Sequence, residues 1–416
     1  MKVLVLGAGV IGVTSAYRLV TAGHEVVVVD RQDGAARETS FANSGQIAAY
    51  NAQPWAAPGV PRMVIEEFGR ADAPFLFRLR FDPAMWRWAS RFLRLCTPEA
   101  FQRTLAHMNR LSSYSLDALT ALRKAEAIEY DRRAKGTLNL YRTPAGFEKA
   151  AAMAAREDDA QFRPQALDMD ACVDVEPALE QSRHLFAGAL HMVGDETGDA
   201  HEFTVQLAEH AAMRGVDFRY GTQATSLAWT GDRVQGANTD RGAIAADATV
   251  VSLGSYSPLI LRPLGIRVPI YPVKGYSVTV PTAGHDGAPT HGIYDRGRKL
   301  SMSRLGARLR SGGTAEFAGY NTHLDARRAK AILDMTMAVF PSAGDATQAQ
   351  LWTGLRPMTP DCAPVLGRTP YRGLYLNTGH GSLGWTLSCG SARIIADIVS
   401  GRAPEIDLTG LTLDRF

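Results

Sequence analysis

A glycine-rich turn at the start of the chain constrains the fold more than any other feature of the sequence. Residues 2–6 are an apolar run, and Gly-Ala-Gly-Val-Ile-Gly follows directly at residues 7–12. Apolar residues then recur at helical spacing from residue 13 to residue 20, and a second apolar run at residues 26–29 ends in Asp30. This pattern predicts a strand, a tight turn, a helix and a second strand, which together form one βαβ unit.

The spacing of the three glycines has a physical reason that indicates a bound dinucleotide. Gly7 permits the tight turn, Gly9 lets the backbone approach a pyrophosphate, and Gly12 lets the helix pack closely on the strand. The free N–H groups of the helix N-terminus point at the phosphates. Asp30, placed at a strand end, can accept hydrogen bonds from ribose hydroxyls. The alternative is a turn whose glycines serve packing alone, and the turn by itself does not distinguish FAD from NAD.

Similar elements return later in the chain and indicate two domains. Phe203, Leu207 and Ala211 share one helix face, residues 248–253 predict an apolar strand, and residues 374–398 predict a strand followed by a helix. A helical stretch at 82–130 and a β-rich stretch at 268–320 differ in character. We therefore predict an α/β fold in which a Rossmann-type cofactor domain is joined to a mixed α+β substrate domain. The predicted cofactor domain comprises residues 1–81, 185–265 and 350–416, and the predicted substrate domain comprises residues 82–184 and 266–349.

Composition narrows the class of partner. The formal net charge is only +3, whereas nucleic-acid binding needs a strongly basic face, so a small neutral or zwitterionic substrate is expected. The four cysteines lie far apart without a CxxC pair, which favours reduced thiols in the cytoplasm and no metal site. The motifs of serine hydrolases and zinc proteases do not occur. Because no run approaches the roughly 20 apolar residues that span a bilayer, we expect a protein that is soluble or at most peripheral on a membrane.

Five further segments resemble the D-amino-acid dehydrogenase family and follow the order found there. That family belongs to the superfamily of D-amino-acid oxidase and glycine oxidase. The resemblance implies a D-amino-acid oxidase-like fold, FAD as the cofactor, and oxidation of a small D-amino acid through hydride transfer to the flavin. It runs nearly end to end and is carried by residues 38–47, 54–59, 271–277, 354–361 and 377–386.

The resemblance also implies which residues bind FAD. Residues 30–31 would hold the adenosine ribose, Ser40 and Asn43 would lie near the pyrophosphate, and residues 45–47 would approach the flavin ring. Residues 381–386 would bring N–H groups and a positive helix end against the flavin N1, where hydride transfer leaves negative charge. The implied cofactor residues are Gly7, Gly9, Val10, Ile11, Gly12, Asp30, Arg31, Ser40, Asn43, Gly45, Gln46, Ile47, Ser252, Gly254, Tyr256, Gly381, Ser382, Leu383, Gly384, Trp385 and Thr386.

Three side chains are candidates for action on the substrate. In the related oxidases the arginine of a Gly-Leu-Arg-Pro motif clamps the substrate carboxylate, and the matching residue is Arg356. A planar guanidinium binds both carboxylate oxygens at once, although a structural arginine bonded to main-chain carbonyls is the alternative. Tyr50 stands one place before the tyrosine that is typical of the family. His380 is a candidate general base, but it stands among glycines, where its backbone is the competing explanation.

The expected reaction converts a D-amino acid, with D-proline or a hydroxy-D-proline as candidates, into an imino or 2-oxo acid. The resemblance implies that electrons pass to a membrane quinone. An amphipathic helix predicted from Asp82 onward carries arginines at positions 87, 91 and 94 on one side. It either rests on the anionic cytoplasmic face of the inner membrane or packs its apolar face into the second domain. Two other functions stay open: a glycine or sarcosine type of oxidase that uses oxygen, and a nucleotide-binding regulatory protein without turnover.

Overall fold

A parallel sheet near the start of the chain contains the predicted βαβ unit. The computed structural model describes residues 1–50, 52–66, 75–78, 81–157, 159 and 163–416. Within these residues six strands form this first sheet, in which every pair of neighbours is parallel except the two strands at one edge. From that edge the order is Val365–Arg368, Leu374–Thr378, Ala248–Val251, Lys2–Leu6, Glu25–Val29 and Asp217–Arg219.

Both faces of the first sheet are covered, which explains why its central strands are apolar throughout. Val3 and Val5 belong to one buried cluster, and Leu4 and Leu6 belong to another on the opposite face. The first cluster includes residues of helices Val10–Thr21, Pro98–Glu126, Ala200–Met213 and Gly384–Val399. The second includes residues of a small antiparallel sheet formed by strands Ala224–Thr230, Arg233–Thr239 and Gly242–Ala245.

The second large sheet is mixed and lies across a cavity from the first. One face of this sheet packs on helix Ala326–Val339, and Tyr276 and Val278 of the sheet share a buried cluster with Ile332 of the helix. Its strands follow the order Gln350–Met358, Tyr271–Pro281, Arg308–Phe317, Leu300–Leu305, Gly292–Asp295, Thr137–Tyr141, Gly188–Met192 and Gln165–Leu167, with Phe75–Phe77 paired to Arg308–Phe317.

Short elements complete the described chain. Gln46–Ile47 pairs with Glu196–Thr197 in a two-stranded sheet. The other helices are Val60–Glu66, Pro83–Arg94, Pro144–Ala154, Met169–Val175 and Ser257–Leu261, and the 3₁₀ segments are Pro177–Leu185, Gly254–Tyr256, Arg262–Leu264, Ala346–Gln348 and Leu413–Arg415. Within the described ranges, no helix has the length and hydropathy needed to cross a membrane.

The predicted fold class is confirmed, while four of the described elements pack with the sheet of the other predicted domain. Strands Phe75–Phe77, Gly188–Met192 and Gln350–Met358 fall in ranges predicted for the cofactor domain but pair within the second sheet. Helix Pro98–Glu126 falls in a range predicted for the substrate domain but packs on helix Gly384–Val399 beside the first sheet. Apolar patterning shows that a strand or helix has a buried face, but not which sheet covers that face. The domain boundaries themselves stay a prediction.

The amphipathic helix begins where the sequence predicts. Its bounds are Pro83–Arg94, and the Asp82 carboxylate accepts the N–H groups of Ala84 and Met85 at its N-terminus. Met85, Trp88 and Phe92 are buried in the protein. The apolar stripe therefore packs inward, as one of the two predicted alternatives requires.

Candidate cofactor and substrate site

A cavity of about 1610 Å³ lies between the two large sheets and gathers most of the predicted site residues. Pockets for drug-sized ligands measure roughly 300 to 1,000 Å³, so this cavity has room for a dinucleotide together with a small substrate. All the predicted cofactor and substrate residues line it except Gly12, Ile47 and Thr386. Ile47 is fully buried in the core, and the Thr386 hydroxyl accepts the Ala48 N–H at 3.0 Å. These residues support the wall from behind.

The glycine turn has the geometry that a dinucleotide requires. Gly7 has a φ of +105°, and a Cβ at Gly12 would lie 1.8 Å from the Gly7 carbonyl oxygen. No residue with a side chain fits either position, so Gly12 serves close packing of helix on strand. Gly9 differs, because among the described residues a Cβ there would meet only the Ser40 hydroxyl, at 3.5 Å. The open space beside Gly9 is the cavity itself, where a pyrophosphate fits.

Asp30 braces the turn and also faces the cavity. Its Oδ2 accepts the Ala8 N–H at 2.6 Å, and its Oδ1 accepts the Gln32 N–H at 2.8 Å. Burial raises the pKa of this carboxyl, although the two hydrogen bonds oppose the shift. Since each carboxylate oxygen can accept more than one hydrogen bond, Asp30 can hold the turn and still receive ribose hydroxyls.

A stacked pair forms the cavity wall where the resemblance implies that the adenosine binds. The Arg31 guanidinium lies over the Tyr256 ring, with its central carbon 4.0 Å from the ring centroid. The Glu38 carboxylate accepts the Arg31 Nε–H at 2.7 Å and fixes the pair from the other side. Glu38 lies in one of the segments that carry the family resemblance, but it was not predicted as a site residue.

Two serines offer hydroxyls to a ligand. The Ser40 hydroxyl oxygen accepts the Val10 N–H at 3.1 Å, which leaves its hydrogen for another acceptor. The Ser252 hydroxyl is buried on the cavity wall and has no hydrogen-bond partner in the described chain. Because buried polar groups are nearly always bonded, this orphaned hydroxyl fits a bound cofactor.

Residues 45–50 form another wall. We call them the flavin-facing segment because the resemblance implies that residues 45–47 approach the flavin ring. The Asn43 side-chain oxygen accepts the Gly45 N–H at 2.9 Å, so Asn43 shapes the start of the segment. Adjacent to it lies the N-terminus of helix Gly384–Val399, whose Thr386 hydroxyl accepts the Ala48 N–H and whose Leu383 cap position shows no side-chain capping bond. The first N–H groups of a helix lack partners within the helix. This end can therefore bind a group that carries negative charge.

Arg356 extends across the neighbouring strand at Gly275. A Cβ at Gly275 would lie 2.1 Å from Arg356 Nη1, so only glycine leaves room for the guanidinium. Nη1 donates to the Thr314 carbonyl oxygen at 2.8 Å, and Nη2 approaches that of Gly313 at 3.4 Å. Thr314 has a φ of +56° where the pairing register of two strands shifts. This bulge turns its carbonyl toward Arg356.

Arg356 lines the cavity, and no carboxylate of the described residues lies within ion-pair distance of its guanidinium. Burial lowers the pKa of Arg356 to about 10, so the guanidinium is protonated at neutral pH. The predicted alternative, a structural arginine on main-chain carbonyls, thus describes part of its bonding. A desolvated cation without an anion nevertheless fits capture of an anionic substrate group.

Aromatic residues around Arg356 were not predicted as site residues. Tyr294, on strand Gly292–Asp295, lines the cavity near the guanidinium, and burial raises the pKa of its phenol. Trp55 lies with its ring centroid 5.9 Å from the Arg356 central carbon. Trp55 belongs to a segment that carries the family resemblance, whereas Tyr294 stands in an ordinary alternating strand without a motif. No signal in the sequence distinguished Tyr294 from other strand tyrosines.

His380 is placed in the cavity wall, but its imidazole is bonded to the helix behind it. Nε2 lies 3.0 Å from the Ser391 hydroxyl, and the side chain is buried. Burial lowers the pKa of His380 to about 3, so the ring is neutral at physiological pH. The geometry favours the backbone explanation over general-base catalysis by the side chain.

Comparison with known proteins identifies the family. A family model described as FAD dependent oxidoreductase (DAO) matches residues 2–398. This chain belongs to that family. It is 48% identical to a D-amino acid dehydrogenase of Cereibacter sphaeroides, covering 100% of this chain and 95% of that protein. It is 49% identical to a D-amino acid dehydrogenase of Paramagnetospirillum magneticum, covering 100% of this chain and 99% of the relative.

Solved structures show the same fold at lower identity. Glycine oxidase from Geobacillus kaustophilus superimposes with a TM-score of 0.74 at 23% identity and covers 100% of this chain and 99% of its own. L-proline dehydrogenase from P. horikoshii gives a TM-score of 0.77 at 16% identity and covers 100% and 97%. This FAD-dependent oxidoreductase therefore has the predicted D-amino-acid oxidase-like architecture. FAD is its cofactor, and the open space at Gly9 and the orphaned Ser252 hydroxyl fit that group.

Proposed function

We propose that this chain is a D-amino acid dehydrogenase whose Arg356 binds the substrate carboxylate. The observation that carries the proposal is the guanidinium in the cavity between the sheets, which has no described carboxylate within ion-pair distance. Relatives named D-amino acid dehydrogenase that match its whole length support the same conclusion. D-proline or a hydroxy-D-proline is a candidate substrate alongside the primary D-amino acids.

The residues of this chain bind and orient the substrate. FAD, when bound, supplies the acceptor for the hydride that leaves the substrate Cα. Arg356 holds the carboxylate through the N–H groups that the Thr314 and Gly313 carbonyls leave open, and this fixes the direction of the Cα–H bond. The predicted cofactor residues that line the cavity would hold FAD, and the N-terminus of helix Gly384–Val399 would offer its positive end to a group that carries negative charge. Neutral His380 has no assigned proton transfer.

A panel of amino acids tests the substrate class. D- and L-amino acids are added anaerobically to the purified holoenzyme, and bleaching of the flavin absorbance is followed. We expect reduction by D-amino acids and not by their L-enantiomers. Reduction by glycine or sarcosine in preference to D-amino acids would instead support the oxidase alternative. No bleaching by any of them would support the non-catalytic one.

We also propose that a membrane quinone accepts the electrons. The outer face of helix Pro83–Arg94 supports contact with a membrane at the cytoplasmic face, because Trp86 is 52% and Leu93 is 50% exposed. The nearby Phe81 is 95% exposed. Arg87, Arg91 and Arg94 are exposed and form no ion pair with the described residues. Each basic residue near an anionic bilayer adds about 1 kcal/mol of attraction.

The two tryptophans of helix Pro83–Arg94 differ in exposure. Of the two tryptophans on the helix, only Trp86 can reach the headgroups, because Trp88 is buried and donates its indole N–H to the Met358 carbonyl. Turnover with a soluble ubiquinone analogue is compared with turnover in oxygen, scored by peroxide release. Stoichiometric peroxide without quinone reduction would contradict the quinone proposal. Co-sedimentation with anionic vesicles, lost in an Arg87→Glu, Arg91→Glu double variant, tests the membrane contact.

A further inference from the structure

A buried carboxylate lies directly behind the cavity wall. Asp195 is 1% exposed, and its Oδ1 accepts the Tyr50 N–H at 2.9 Å. Its Oδ2 accepts the Thr137 hydroxyl at 2.6 Å. Tyr50 lines the cavity, whereas Thr137 belongs to strand Thr137–Tyr141 of the second sheet. One side chain therefore ties the flavin-facing segment to the second sheet.

The residues around Asp195 hold the same segment along its length. Gln46 and Ile47 pair with the strand that follows Asp195, and the Gly198 N–H donates to the Gly45 carbonyl at 2.8 Å. The Tyr50 ring packs on Gly194, where a Cβ would lie 2.2 Å from a ring carbon. Both the backbone and the ring of Tyr50 are thus positioned by residues 194–195.

Asp195 has no cation of its own among the described residues. The nearby arginines bind the neighbouring Glu196 instead: its carboxylate accepts hydrogen bonds from Arg123 Nη1 at 2.7 Å and from Arg132 Nε at 2.9 Å. Glu196 is the one charged group that acts on Asp195 in the described chain, and Thr137 and Tyr50 supply its hydrogen bonds. Burial raises the pKa of Asp195 to about 7, and those hydrogen bonds oppose the shift.

We propose that Asp195 is a positioning residue for the substrate cavity, which fixes the flavin-facing segment and the Tyr50 ring against the second sheet. It acts through Tyr50 and does not touch the reacting atoms. The inference rests on the proposed oxidation of D-amino acids. An asparagine at position 195 keeps an oxygen for the Tyr50 N–H, and its amide N–H can donate to the Thr137 hydroxyl. An alanine removes the carboxylate that accepts the Tyr50 N–H.

Hydrogen exchange tests the positioning without reference to turnover. In the holoenzyme we expect the amide of Tyr50 to exchange at least about tenfold faster in Asp195→Ala than in wild type, and at a wild-type rate in Asp195→Asn. Asp174→Asn, which changes an exposed carboxylate, is the matched control. Equal exchange at Tyr50 in the wild type and both Asp195 variants would overturn the proposal.

The pH dependence of turnover provides a second readout. We expect kcat/KM for a D-amino acid to show an ionisation near pH 7 in wild type and in Asp174→Asn, and none in Asp195→Asn. Asp195→Ala should lose about tenfold or more in kcat/KM with FAD still bound, because a displaced wall misplaces the substrate. An unchanged ionisation in Asp195→Asn, with wild-type kcat/KM in Asp195→Ala, would contradict the role.

The pH dependence of thermal stability tests whether ionisation of Asp195 destabilises the fold. The unfolded carboxyl ionises near pH 3.9, below the pKa of about 7 in the fold, so ionisation disfavours folding. Its stabilising contribution is present below about pH 4 and is lost as pH rises to about 7. Relative to wild type, the melting temperature of Asp195→Asn should therefore rise by about 2 °C or more across that window. A constant difference would contradict the buried ionisation.

The experiments distinguish failure of the proposed D-amino-acid oxidation from failure of the positioning role of Asp195. If wild type is not reduced by D-amino acids, the exchange and melting experiments still decide whether Asp195 holds Tyr50. If Asp195→Ala does not fold, Gly194→Ala displaces the Tyr50 ring while Asp195 remains, and it should lower kcat/KM without removing the ionisation near pH 7. Wild-type kcat/KM in Gly194→Ala would show that the position of the Tyr50 ring does not matter.

Discussion

Gly275→Ala tests the placement of Arg356 without touching the arginine. The backbone at Gly275 is an ordinary strand conformation, so alanine is compatible with it. The added Cβ would lie 2.1 Å from Arg356 Nη1 and 2.4 Å from its central carbon. Ordinary contact begins at 3.4 Å, so the guanidinium must move by the difference, about 1.3 Å. The hydrogen bond to the Thr314 carbonyl is lost or lengthened as a result.

The size of the kinetic effect follows from that displacement. A misplacement of about 1 Å can lower the rate about 100-fold, which corresponds to about 2.7 kcal/mol of transition-state stabilisation. The overpacked methyl destabilises the fold by about 1 to 3 kcal/mol. This is less than the free energy of unfolding of a typical domain, which is about 5 to 15 kcal/mol. We therefore expect a folded, yellow protein whose kcat/KM for D-amino acids is about 100-fold lower.

The assay is anaerobic flavin reduction by stopped flow, with flavin content measured on the same sample. Gly59→Ala is the control, because a Cβ there would meet no atom of the described residues within 4 Å. In the double variant Gly275→Ala, Arg356→Ala the effects should not add, since both act through one guanidinium. A Gly275→Ala enzyme with full flavin and kcat/KM within about threefold of wild type would refute the reasoning.

Three further predictions concern the cofactor turn and the two candidate side chains. Gly9→Val should yield folded but colourless protein, because its side chain enters the space proposed for the pyrophosphate; full flavin absorbance would contradict this. Arg356→Lys should lower kcat/KM by about 10- to 1,000-fold with FAD bound, since lysine keeps the charge but cannot bind both carboxylate oxygens at once. Unchanged kinetics would show that Arg356 does not bind the substrate carboxylate in this way. His380→Gln should change kcat less than about tenfold and leave the pH dependence of kcat from about pH 5 to 9 unchanged, because a ring with a pKa of about 3 is neutral throughout. Loss of an ionisation from that profile would support His380 as a general base.

The geometry of the glycine turn could be predicted because its requirements are local. Gly7 and Gly12 are dictated by a positive φ and by contact within the same turn, both of which act over a few residues. Asp30 follows from the end of the neighbouring strand, which pairs directly with the first. A periodic pattern and glycine spacing contain this information, so the sequence was sufficient there.

The substrate end could not be predicted to the same depth because its geometry is assembled from distant segments. The direction of Arg356 depends on a bulge at Thr314 and on the absence of a side chain at Gly275. Tyr294 reaches the same space from a further strand of the second sheet. The resemblance supplied the identity of the arginine, but register shifts between strands leave no mark in the pattern of either strand.

Several residues predicted as ligand contacts are bonded first to the chain itself, which changes how their substitutions should be interpreted. Asp30 binds the glycine turn, Asn43 binds Gly45, and Thr386 holds Ala48 from behind the wall. Each of these bonds shapes a stretch of backbone that faces the cavity. Loss of function after substitution of Thr386 would therefore report on the geometry of the flavin-facing segment. A flavin contact can be inferred for Thr386 only if hydrogen exchange in that segment stays at the wild-type rate while flavin affinity falls.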